Sequence, residues 1–475
     1  GAPSSKSLPI AEGAAQSMAA KAASRTFTCS ECGWTASKWV GRCPQCQAWG
    51  TLEEGGAPRT RTSALAPTSP ATPITEVPTT ASVKQPTRVD EFDRVLGGGL
   101  VPGAVVLLAG EPGVGKSTLL LDVAARAAET AAQSGRAPVL YVSGEESASQ
   151  VRLRAERIGA LHDHLHLAAE SDLATILGHV DSVRPSLLVV DSVQTAADSQ
   201  IEGAAGGVAQ VRGVTSALVA DAKTRSMPVL LVGHVTKEGS IAGPRVLEHL
   251  VDVVCQFEGD RHSPLRMVRA VKNRYGPTEE VGCFELNEAG IRGLADPSGL
   301  FLSSRRENVP GTCVTMALEG RRPMPVEVQA LIVPSSGPPR RTTSGLESSR
   351  AAMAIAVLQS RLGLDLDRCD VFLSTVGGAR SAEPATDAAM ALALASARLS
   401  RPLTAGTAAI GEVSLTGELR PVTGIQQRLA EARRLGFGAA IVPRGTREAN
   451  VKVPGGLALL ECDDILEAAA REGLA

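Results

Sequence analysis

The chain from about residue 87 onward alternates between two patterns of apolar positions. Short, continuous runs rich in β-branched residues recur four times, and each is typical of a buried strand. These runs are Val105–Ala109, Val139–Val142, Leu187–Val190 and Val229–Val232. Apolar residues at helical spacing follow the first run over Ser117–Ser134. Strands that alternate with helices predict an α/β fold with a mostly parallel sheet covered on both faces.

The same alternation resumes near Leu300 and predicts a second α/β domain. Apolar runs at Val326–Val333 and Val371–Leu373 favour strands. Helical spacing covers the stretches Arg350–Leu362, Thr386–Leu399 and Gln426–Leu435. A helix that is apolar on all sides is a buried one, so the Ala-rich stretch is expected in the core and not at a site.

Shifts in composition divide the chain into five segments. Residues 1–27, rich in Ala and Ser without a period, predict a disordered tail, and whether residues 1–17 are native stays open. Residues 28–54 contain a cysteine module. Residues 55–86 are rich in Gly, Pro, Thr and Ser and predict a linker. The two α/β domains then occupy residues 87–299 and 300–475.

Four cysteines in two C-x-x-C pairs predict a metal site in the module. They are Cys29, Cys32, Cys43 and Cys46. Four thiolates at this spacing suit tetrahedral Zn²⁺, and a site filled by protein ligands is structural and not catalytic. A redox dithiol pair or a rubredoxin-type iron site is the alternative. All three tryptophans, Trp34, Trp39 and Trp49, lie here, and packing of the small core is favoured over a partner-binding or base-stacking face.

A glycine-rich loop follows the first predicted strand and precedes the first predicted helix. Its pattern is G-x-x-x-x-G-K-[ST], which cradles a triphosphate on backbone N–H groups. The predicted ATP contacts are Gly110, Glu111, Pro112, Gly113, Val114, Gly115, Lys116, Ser117 and Thr118. The Lys116 amine is placed to reach the β/γ-phosphate oxygens, and the Ser117 hydroxyl is a ligand for Mg²⁺.

Two carboxylates at strand ends complete the predicted hydrolytic site. Asp191 ends the apolar run 187–190, as expected of a residue that orders Mg²⁺ through water. Glu145 and Glu146 follow the run Val139–Val142, and Glu145 is favoured as the group that orients the attacking water. This role assumes that their strand lies beside the phosphate-loop strand. The alternative is that both glutamates are solvated loop charges.

Composition narrows the classes of partner. The chain has 48 Lys and Arg against 50 Asp and Glu, so any nucleic-acid surface must be a local patch. Aromatic residues make up only 3%, which disfavours base stacking on many rings. No apolar run is long enough for a membrane span and no secretory signal is evident. Nine cysteines in so long a chain do not indicate a disulfide scaffold, so a cytoplasmic location is expected.

The residues around these motifs resemble a RecA-type ATPase core, in which the catalytic glutamate follows the strand after the phosphate-loop helix. The stretch Tyr141–Ser147 fits that slot. Further stretches are Glu91–Gly103, His234–Gly239 and Lys272–Gly276, the last reading Lys-Asn-Arg-Tyr-Gly. With the four-cysteine module, they make the chain similar to the RadA (Sms) family of bacterial DNA repair proteins. That family usually has Phe where this chain has Tyr275, a mild change.

The resemblance implies a ring-forming, DNA-stimulated ATPase that drives branch migration of recombination intermediates. It implies single-stranded and branched DNA, a RecA-type recombinase and a homohexamer as partners. A basic segment with Arg261, Arg266, Arg269, Lys272 and Arg274 is interpreted as a phosphate-binding patch.

Residues for DNA or for a neighbouring subunit's ATP follow from the same resemblance. They are Lys237, Arg245, Lys272, Asn273, Arg274, Tyr275 and Gly276. The choice between DNA and the neighbour's ATP stays open, as does an exposed basic strand edge. Residues Thr236–Arg245 are read as a mobile loop of the kind that lines the central channel of RecA-like rings. His234 is either a sensor of nucleotide state or an ordinary capped polar residue.

The second α/β domain resembles the Lon protease domain. Residues Gly411–Leu429 match the segment that carries the catalytic lysine of Lon. This chain has Ala385 and Gln426 at the positions of the Ser–Lys dyad, so neither a nucleophile nor a base is present. The resemblance therefore implies a proteolytically inactive assembly platform. Arginines in this domain, among them Arg305, Arg306, Arg340 and Arg341, are either DNA contacts or solvated charges.

Two other functions remain open from the sequence. An ATP-dependent protease or protein remodeller is disfavoured by Ala385 and Gln426. A non-motor ATP switch that loads a helicase or recombinase has the same motifs as a motor, and only movement of branched DNA separates the two.

Overall fold

The computed structural model describes residues 26–55, 66, 70–77, 83–235, 244–260, 262–303 and 309–475. The chain divides into two compact units, Gly1–Pro78 and Thr79–Ala475. The predicted tail, apart from residues 26 and 27, and most of the predicted linker lie outside the described residues. No helix in the described part of the chain is long and apolar enough to cross a membrane.

The smaller unit contains a three-stranded antiparallel sheet in the order β2-β1-β3. Its strands are β1 (Thr26–Cys29), β2 (Thr35–Ala36) and β3 (Leu52–Gly55). Cys29, Cys43 and Leu52 are its only fully buried apolar residues among those described, with Phe27 and Trp34 packed beside them. So few buried side chains cannot hold a fold by themselves, and a structural metal supplies the missing stability in modules of this size.

A nine-stranded sheet forms the centre of the larger unit, in the order β12-β11-β10-β9-β4-β8-β7-β5-β6. Its strands are β4 (Val105–Gly110), β5 (Val139–Ser143), β6 (Leu165–Ala169), β7 (Leu187–Asp191), β8 (Val229–His234), β9 (Val253–Gly259), β10 (Leu265–Asn273), β11 (Val281–Asn287) and β12 (Gly290–Gly293). The six strands from β9 to β6 are parallel, so the predicted mostly parallel sheet and its four strands are confirmed.

Helices cover both faces of this sheet. They are α1 (Asp90–Leu96), α2 (Lys116–Gln133), α3 (Ala148–Ile158), α4 (Leu173–Val183), α5 (Val208–Arg225) and the short α6 (Pro244–Leu247). Alternate residues of β4 enter opposite cores: Leu108 packs with the α2 side, and Leu107 packs with the α4 and α5 side. Burial on both faces explains why the strands read as continuous apolar runs.

The assumption that β5 lies beside β4 is wrong. Two strands, β8 and β7, stand between them in the sheet. The three antiparallel strands β10 to β12 were also not predicted, because charged and polar residues interrupt their apolar positions and they lack the continuous apolar pattern. They extend the sheet beyond β9, and β10 pairs with β9 from Arg266↔Gly259 to Asn273↔Val253.

The second sheet has seven strands in the order β15-β16-β14-β13-β17-β20-β21. They are β13 (Thr312–Glu319), β14 (Arg322–Pro334), β15 (Arg341–Ser344), β16 (Cys369–Thr375), β17 (Thr407–Ala409), β20 (Ala439–Pro443) and β21 (Ala458–Cys462). A separate two-stranded ribbon consists of β18 (Glu412–Val413) and β19 (Leu419–Arg420). The two predicted strands of this region are confirmed within β14 and β16.

Helices of the second region are α7 (Ser298–Phe301), α8 (Ser348–Leu362), α9 (Asp387–Leu399), α10 (Ile425–Arg434) and α11 (Ile465–Arg471). The three predicted helices are confirmed as α8, α9 and α10. Helix α9 is buried from Asp387 to Ser396 and packs on β13 and β14, as its alanines predict. The two sheets meet where the β13–β14 turn contacts the first one. There Arg322 donates to Glu91 at 2.5 Å, and both side chains are buried.

Candidate functional site

The phosphate-binding loop joins the end of β4 to the start of α2. Gly113 and Gly115 take φ values of 80° and 110°, which side chains disfavour. A side chain at Gly110 would also collide, because a Cβ there lies 2.5 Å from the carbonyl oxygen of Phe257. The glycine pattern is therefore required by the backbone path. The loop leads into the first turn of α2, where unpaired N–H groups favour an anion.

The Lys116 side chain is folded back into this loop. Its Nζ donates to the carbonyl oxygens of Gly110 at 2.8 Å and Glu111 at 2.7 Å. Burial lowers the pKa of Lys116 to about 8, against the attraction of Asp191 and Glu145. Gly110, which Lys116 contacts, is the register partner of His234, and Glu145 contacts both His234 and Ser192, which follows Asp191. The three groups therefore lie at the same edge of the sheet. Ser117 is half-buried in the first turn of α2, beside them along the chain.

Asp191 ends β7 as a buried carboxylate with one open acceptor. Its Oδ2 accepts a hydrogen bond of 2.7 Å from the Tyr141 hydroxyl. Its Oδ1 is buried and has no partner among the described residues. A buried carboxylate oxygen without a donor is costly, and a hydrated divalent cation would satisfy it. Together with the Ser117 hydroxyl, Asp191 therefore fits the Mg²⁺ that accompanies a bound nucleotide.

Glu145 reaches the site although its strand is not next to β4. Its Oε1 accepts hydrogen bonds from Ser192 Oγ at 2.6 Å and His234 Nε2 at 2.8 Å, and these two residues follow β7 and end β8. The His234 hydrogen bond is the main cause that lowers the pKa of Glu145 to about 2. Glu146 instead forms an ion pair with Arg154 on α3. The structure thus directs only Glu145 of the two candidates toward Lys116.

Two further buried polar atoms near the strand ends lack partners in the described part of the chain. They are Gln194 Oε1 and His234 Nδ1. Gln194 Nε2 donates to the His234 carbonyl oxygen at 3.3 Å, so the two residues are linked. Residues 236–243, which include Lys237, begin two positions after His234 and lie outside the described residues. For Arg245 only the backbone, in α6, is described.

The interpretation of the basic segment as a phosphate-binding patch is wrong for Arg266 and Arg269. Arg266 is only 7% exposed and donates to carbonyl oxygens. Arg269 pairs with Glu319 at 2.8 Å. Their side chains stabilise the protein instead of facing a polyanion, and Arg261 lies outside the described residues.

The Lys272–Gly276 element lies at the far end of the sheet from the phosphate-binding loop. Lys272 Nζ donates to the carbonyl oxygens of Glu248 at 2.5 Å and Val251 at 2.8 Å. Arg274 pairs with Asp252 at 3.0 Å, and the Asp252 carboxylate also accepts from the Val105 N–H. Arg274 is therefore level with Val105, five residues and about 16 Å along β4 from Gly110.

The rest of the element is held by short-range contacts. Asn273 Oδ1 accepts from the Tyr275 N–H at 2.9 Å, and Asn273 Nδ2 donates to the Leu96 carbonyl oxygen at 3.3 Å. Tyr275 packs partly against the α2-side core. Gly276 approaches Gly97, whose Cα lies 3.5 Å from where a Cβ at Gly276 would stand. The element is thus a rigid corner fixed against the end of α1.

The four predicted metal ligands converge in the small unit. Cys29 Sγ lies 3.7 Å from Cys46 Sγ, and Cys32 Sγ lies 3.6 Å from Cys43 Sγ. All four sulfurs lie within 4.8 Å of one another. Zinc–sulfur bonds of about 2.3 Å place the sulfurs of a tetrahedral site roughly 3.8 Å apart, so the geometry fits Zn²⁺.

The expectation that all three tryptophans pack the small core is wrong for two of them. Trp34 packs against it, but Trp39 is 59% and Trp49 is 75% exposed. Trp39 Nε1 donates to the Leu52 carbonyl oxygen at 3.2 Å, and the Arg42 guanidinium lies 5.6 Å from the centre of the Trp49 ring. The core is too small to enclose three indoles.

The two protease-like positions carry no reactive group. Ala385 is buried in a short 3-10 turn before α9, and the Gln426 amide oxygen accepts from the Lys452 N–H at 3.5 Å. Arg428, 1% exposed, instead bridges α10 to the turn through two hydrogen bonds of 2.6 and 2.8 Å to Glu383. Arg350 makes a similar bidentate contact, because its guanidinium donates to both carboxylate oxygens of Asp387.

Several residues of these sites were missed by sequence reasoning. Tyr141 contacts Asp191, and Ser192 contacts Glu145. Only the position of Ser192, directly after Asp191, could have suggested that it belongs to the site. No pattern indicated the ion pairs of Asp252 with Arg274 or of Glu91 with Arg322, because the second pair joins residues far apart in sequence and the first depends on how the strands pack.

Three family models match the chain. The model of the AAA domain matches residues 71–240, and a zinc-ribbon model described as the rubredoxin metal binding domain matches residues 27–54. The model of the subunit ChlI of Mg-chelatase matches residues 343–446, within the region predicted to be Lon-like.

Curated relatives match over most of the chain. DNA repair protein RadA of Mycolicibacterium smegmatis is 55% identical over 453 residues, covering 92% of this chain and 95% of the relative. The protein of that name from Mycobacterium tuberculosis H37Rv is 52% identical over 93% of this chain and 92% of its own. The one from Bacillus subtilis is 44% identical over 93% of this chain and 97% of its own. Among solved structures, a KaiC-like protein of Pyrococcus horikoshii aligns with 45% of this chain and 99% of its own, at 20% identity and a TM-score of 0.35.

Proposed function

The chain belongs to the family of DNA repair protein RadA, and from this premise we propose that it is a DNA-dependent ATPase that drives branch migration of recombination intermediates. It works as a ring-shaped motor on single-stranded DNA in the cytoplasm. The observation that carries the proposal is the position of Lys116, Asp191 and Glu145 at the carboxyl ends of neighbouring parallel strands. An AAA/RecA-like ATPase domain supports ATP hydrolysis there.

ATP binds along residues 110–118, with its phosphates on the N–H groups of the loop and of the first turn of α2. Lys116 donates to the carbonyl oxygens of Gly110 and Glu111 in its own loop. Phosphate oxygens are stronger acceptors, so the amine exchanges these carbonyls for the β/γ-phosphates. Mg²⁺, when bound by Ser117 and Asp191, neutralises charge on the phosphates.

Glu145 orients the attacking water in this proposal. A carboxylate with a pKa of about 2 is ionised at neutral pH and is a weak proton acceptor, so its role is to position the water. Ser192 and His234 fix the carboxylate by donating to the same oxygen. His234 links this contact to the segment Thr236–Arg245, which we propose lines the DNA channel with Lys237 and Arg245.

The Lys272–Gly276 element serves a neighbouring subunit or DNA. A separation of about 16 Å along β4 keeps Arg274 from the ATP of its own chain. The element is exposed at Arg274 and rigid elsewhere, as suits a group inserted into an adjacent site. We place it at the contact between copies in a homohexamer, where Lys272 or Arg274 touches the neighbour's ATP or the DNA.

The C-terminal domain acts as an assembly platform of Lon-protease type without peptidase activity. Ala385 and Gln426 offer neither a nucleophile nor a base, and the nearby polar groups pair with one another. A RecA-type recombinase and branched DNA are the proposed partners of the ring.

The cysteine module holds Zn²⁺ in its four-thiolate site. Changing Cys29 to Ser replaces one thiolate by a poor ligand, so bound zinc is expected to fall from about one ion per chain to well below that. Elemental analysis of the purified full chain measures it. Unaltered zinc content contradicts the site, and stoichiometric iron with visible absorbance supports the rubredoxin-type alternative.

Strand movement on a branched substrate tests the proposed motor. The wild-type chain is expected to convert a labelled recombination intermediate into product with ATP and Mg²⁺, and Lys116→Ala to leave it unmoved. Arg292→Ala, an exposed arginine on β12, is the matched control and is expected to behave as wild type. Migration by Lys116→Ala contradicts a motor driven by this site, and ATP hydrolysis without any migration favours the switch function.

A further inference from the structure

Arg266 is a buried cation that is bound by the backbone of two different segments. Its Nε donates to the Val114 carbonyl oxygen, in the phosphate-binding loop, at 3.1 Å. Its Nη1 donates to the carbonyl oxygens of Asp260, Ser263 and Leu265 at 3.1, 2.6 and 2.9 Å. No ion pair joins Arg266 to a carboxylate within the described ranges. A guanidinium that is buried at this cost holds its partners firmly, because four donor–acceptor contacts would otherwise be lost.

The contact with Val114 determines the direction of one peptide group in the loop. In a planar trans peptide, the carbonyl oxygen and the following N–H point in opposite directions. Because Arg266 binds the Val114 carbonyl, the Gly115 N–H must point away from Arg266. This peptide rotates about Val114 ψ and Gly115 φ, and glycine at 115, with a φ of 110°, leaves the second rotation free unless something holds the peptide.

The space around Arg266 is shaped for this side chain. A Cβ at Gly259 would lie 2.2 Å from Arg266 Cδ, so only glycine fits opposite the arginine stem. Gly259 and Arg266 are register partners on β9 and β10. The pairing of a glycine with a large buried side chain keeps the guanidinium aimed at the loop, and away from solvent where DNA would meet it.

We propose that Arg266 is a positioning residue of the nucleotide site, which holds the Val114–Gly115 peptide so that its N–H faces the nucleotide phosphates. This rests on the proposed ATP binding by residues 110–118. Arg266 itself does not touch the nucleotide. It acts by removing the rotational freedom that a glycine-rich loop otherwise loses only when the phosphates bind.

Affinity for MgADP, measured by calorimetry on the full chain, tests the proposal. Arg266→Ala is expected to weaken binding roughly tenfold to hundredfold, the range for loss of hydrogen bonds to a charged group. Arg266→Lys keeps the charge and a donor, so it is expected to lose less. Arg292→Ala is the matched control and is expected to bind as wild type. In ATPase assays the KM for ATP rises more than kcat falls.

A second variant separates positioning from folding. Gly259→Ala retains the arginine but displaces its side chain, and it too is expected to weaken MgADP binding. Folded Arg266→Lys and Gly259→Ala proteins that bind MgADP as tightly as wild type overturn the proposal, even where Arg266→Ala does not fold. Failure of the wild type to bind MgADP contradicts the proposed function instead.

Discussion

The surroundings of Lys116 and Asp191 differ from those of Ala385 and Gln426, the two positions compared with a protease dyad, in how their buried polar groups are paired. At the nucleotide site, Asp191, Gln194 and His234 supply three of the seven buried side-chain atoms without partners in the described residues. Near Ala385 the charges are paired: Arg428 donates to both carboxylate oxygens of Glu383, and Arg350 donates to both of Asp387.

This difference shows where ligand chemistry is expected. An open buried acceptor is tolerated where a ligand completes it, whereas a saturated ion pair has no capacity left for a substrate. Among residues 309–475 one buried side-chain atom lacks a partner, Thr315 Oγ1, which is a neutral hydroxyl. The open polar atoms around Asp191 are thus available to a ligand, whereas the paired charges around Ala385 stabilise the fold.

The largest effect is expected for Lys116→Ala. Removing the amine proposed to bind the phosphates should reduce the ATPase rate on the order of 10³-fold, the upper range for loss of one charge-stabilising donor. Circular dichroism should show an unchanged thermal transition within experimental error or a slightly raised one, because a buried cation has been removed. A Lys116→Ala protein with an ATPase rate near that of wild type would contradict the assignment of Lys116 to the nucleotide site.

A stability effect without a nucleotide effect is expected for Glu383→Ala. The change leaves Arg428 buried without its carboxylate, which should lower the free energy of unfolding by about 3 kcal/mol. Denaturant titration measures this, and affinity for MgADP should stay as in wild type. The exposed Gln426→Ala is the control. Weaker nucleotide binding by a folded Glu383→Ala protein would mean that the two regions are coupled.

Glu145→Gln should separate hydrolysis from binding. The amide still occupies the position but is a poorer acceptor for water, so kcat is expected to fall about 10²-fold with ATP affinity kept. Glu146→Gln is the matched control, because the structure pairs that carboxylate with Arg154. Steady-state kinetics and nucleotide titration measure both. Equal losses in the two variants would contradict the assignment of Glu145.

The smallest effect is a pH dependence of nucleotide affinity. Burial lowers the pKa of Lys116 to about 8, so the amine loses its charge as pH rises through that value. Binding of phosphate needs the protonated amine, and affinity should therefore weaken above pH 8 by up to about tenfold per pH unit. Lys116→Arg keeps its charge in this range and should show a flat profile. A wild-type affinity for nucleotide that does not change with pH would contradict a Lys116 pKa lowered by burial.

The sequence predicted most of the parallel core, because strands buried on both faces are continuous apolar runs. The phosphate loop, the two acidic strand ends and the four thiolates were found by spacing. The order of the strands in the sheet was not predicted, because the crossovers that decide which strands are neighbours leave no local pattern in the sequence. For example, β5 lies three positions from β4. The role of Arg266 escaped for the same reason, since its acceptor Val114 is 152 residues away. The two exposed tryptophans could not be separated from Trp34 without knowing the size of the core.

The ATPase rate of the wild-type chain with and without single-stranded DNA tests the central claim most directly. The account predicts Mg²⁺-dependent hydrolysis that single-stranded DNA accelerates, by a particle with a mass near six chains. Hydrolysis that is indifferent to DNA, or no hydrolysis at all by the intact folded chain, would contradict it.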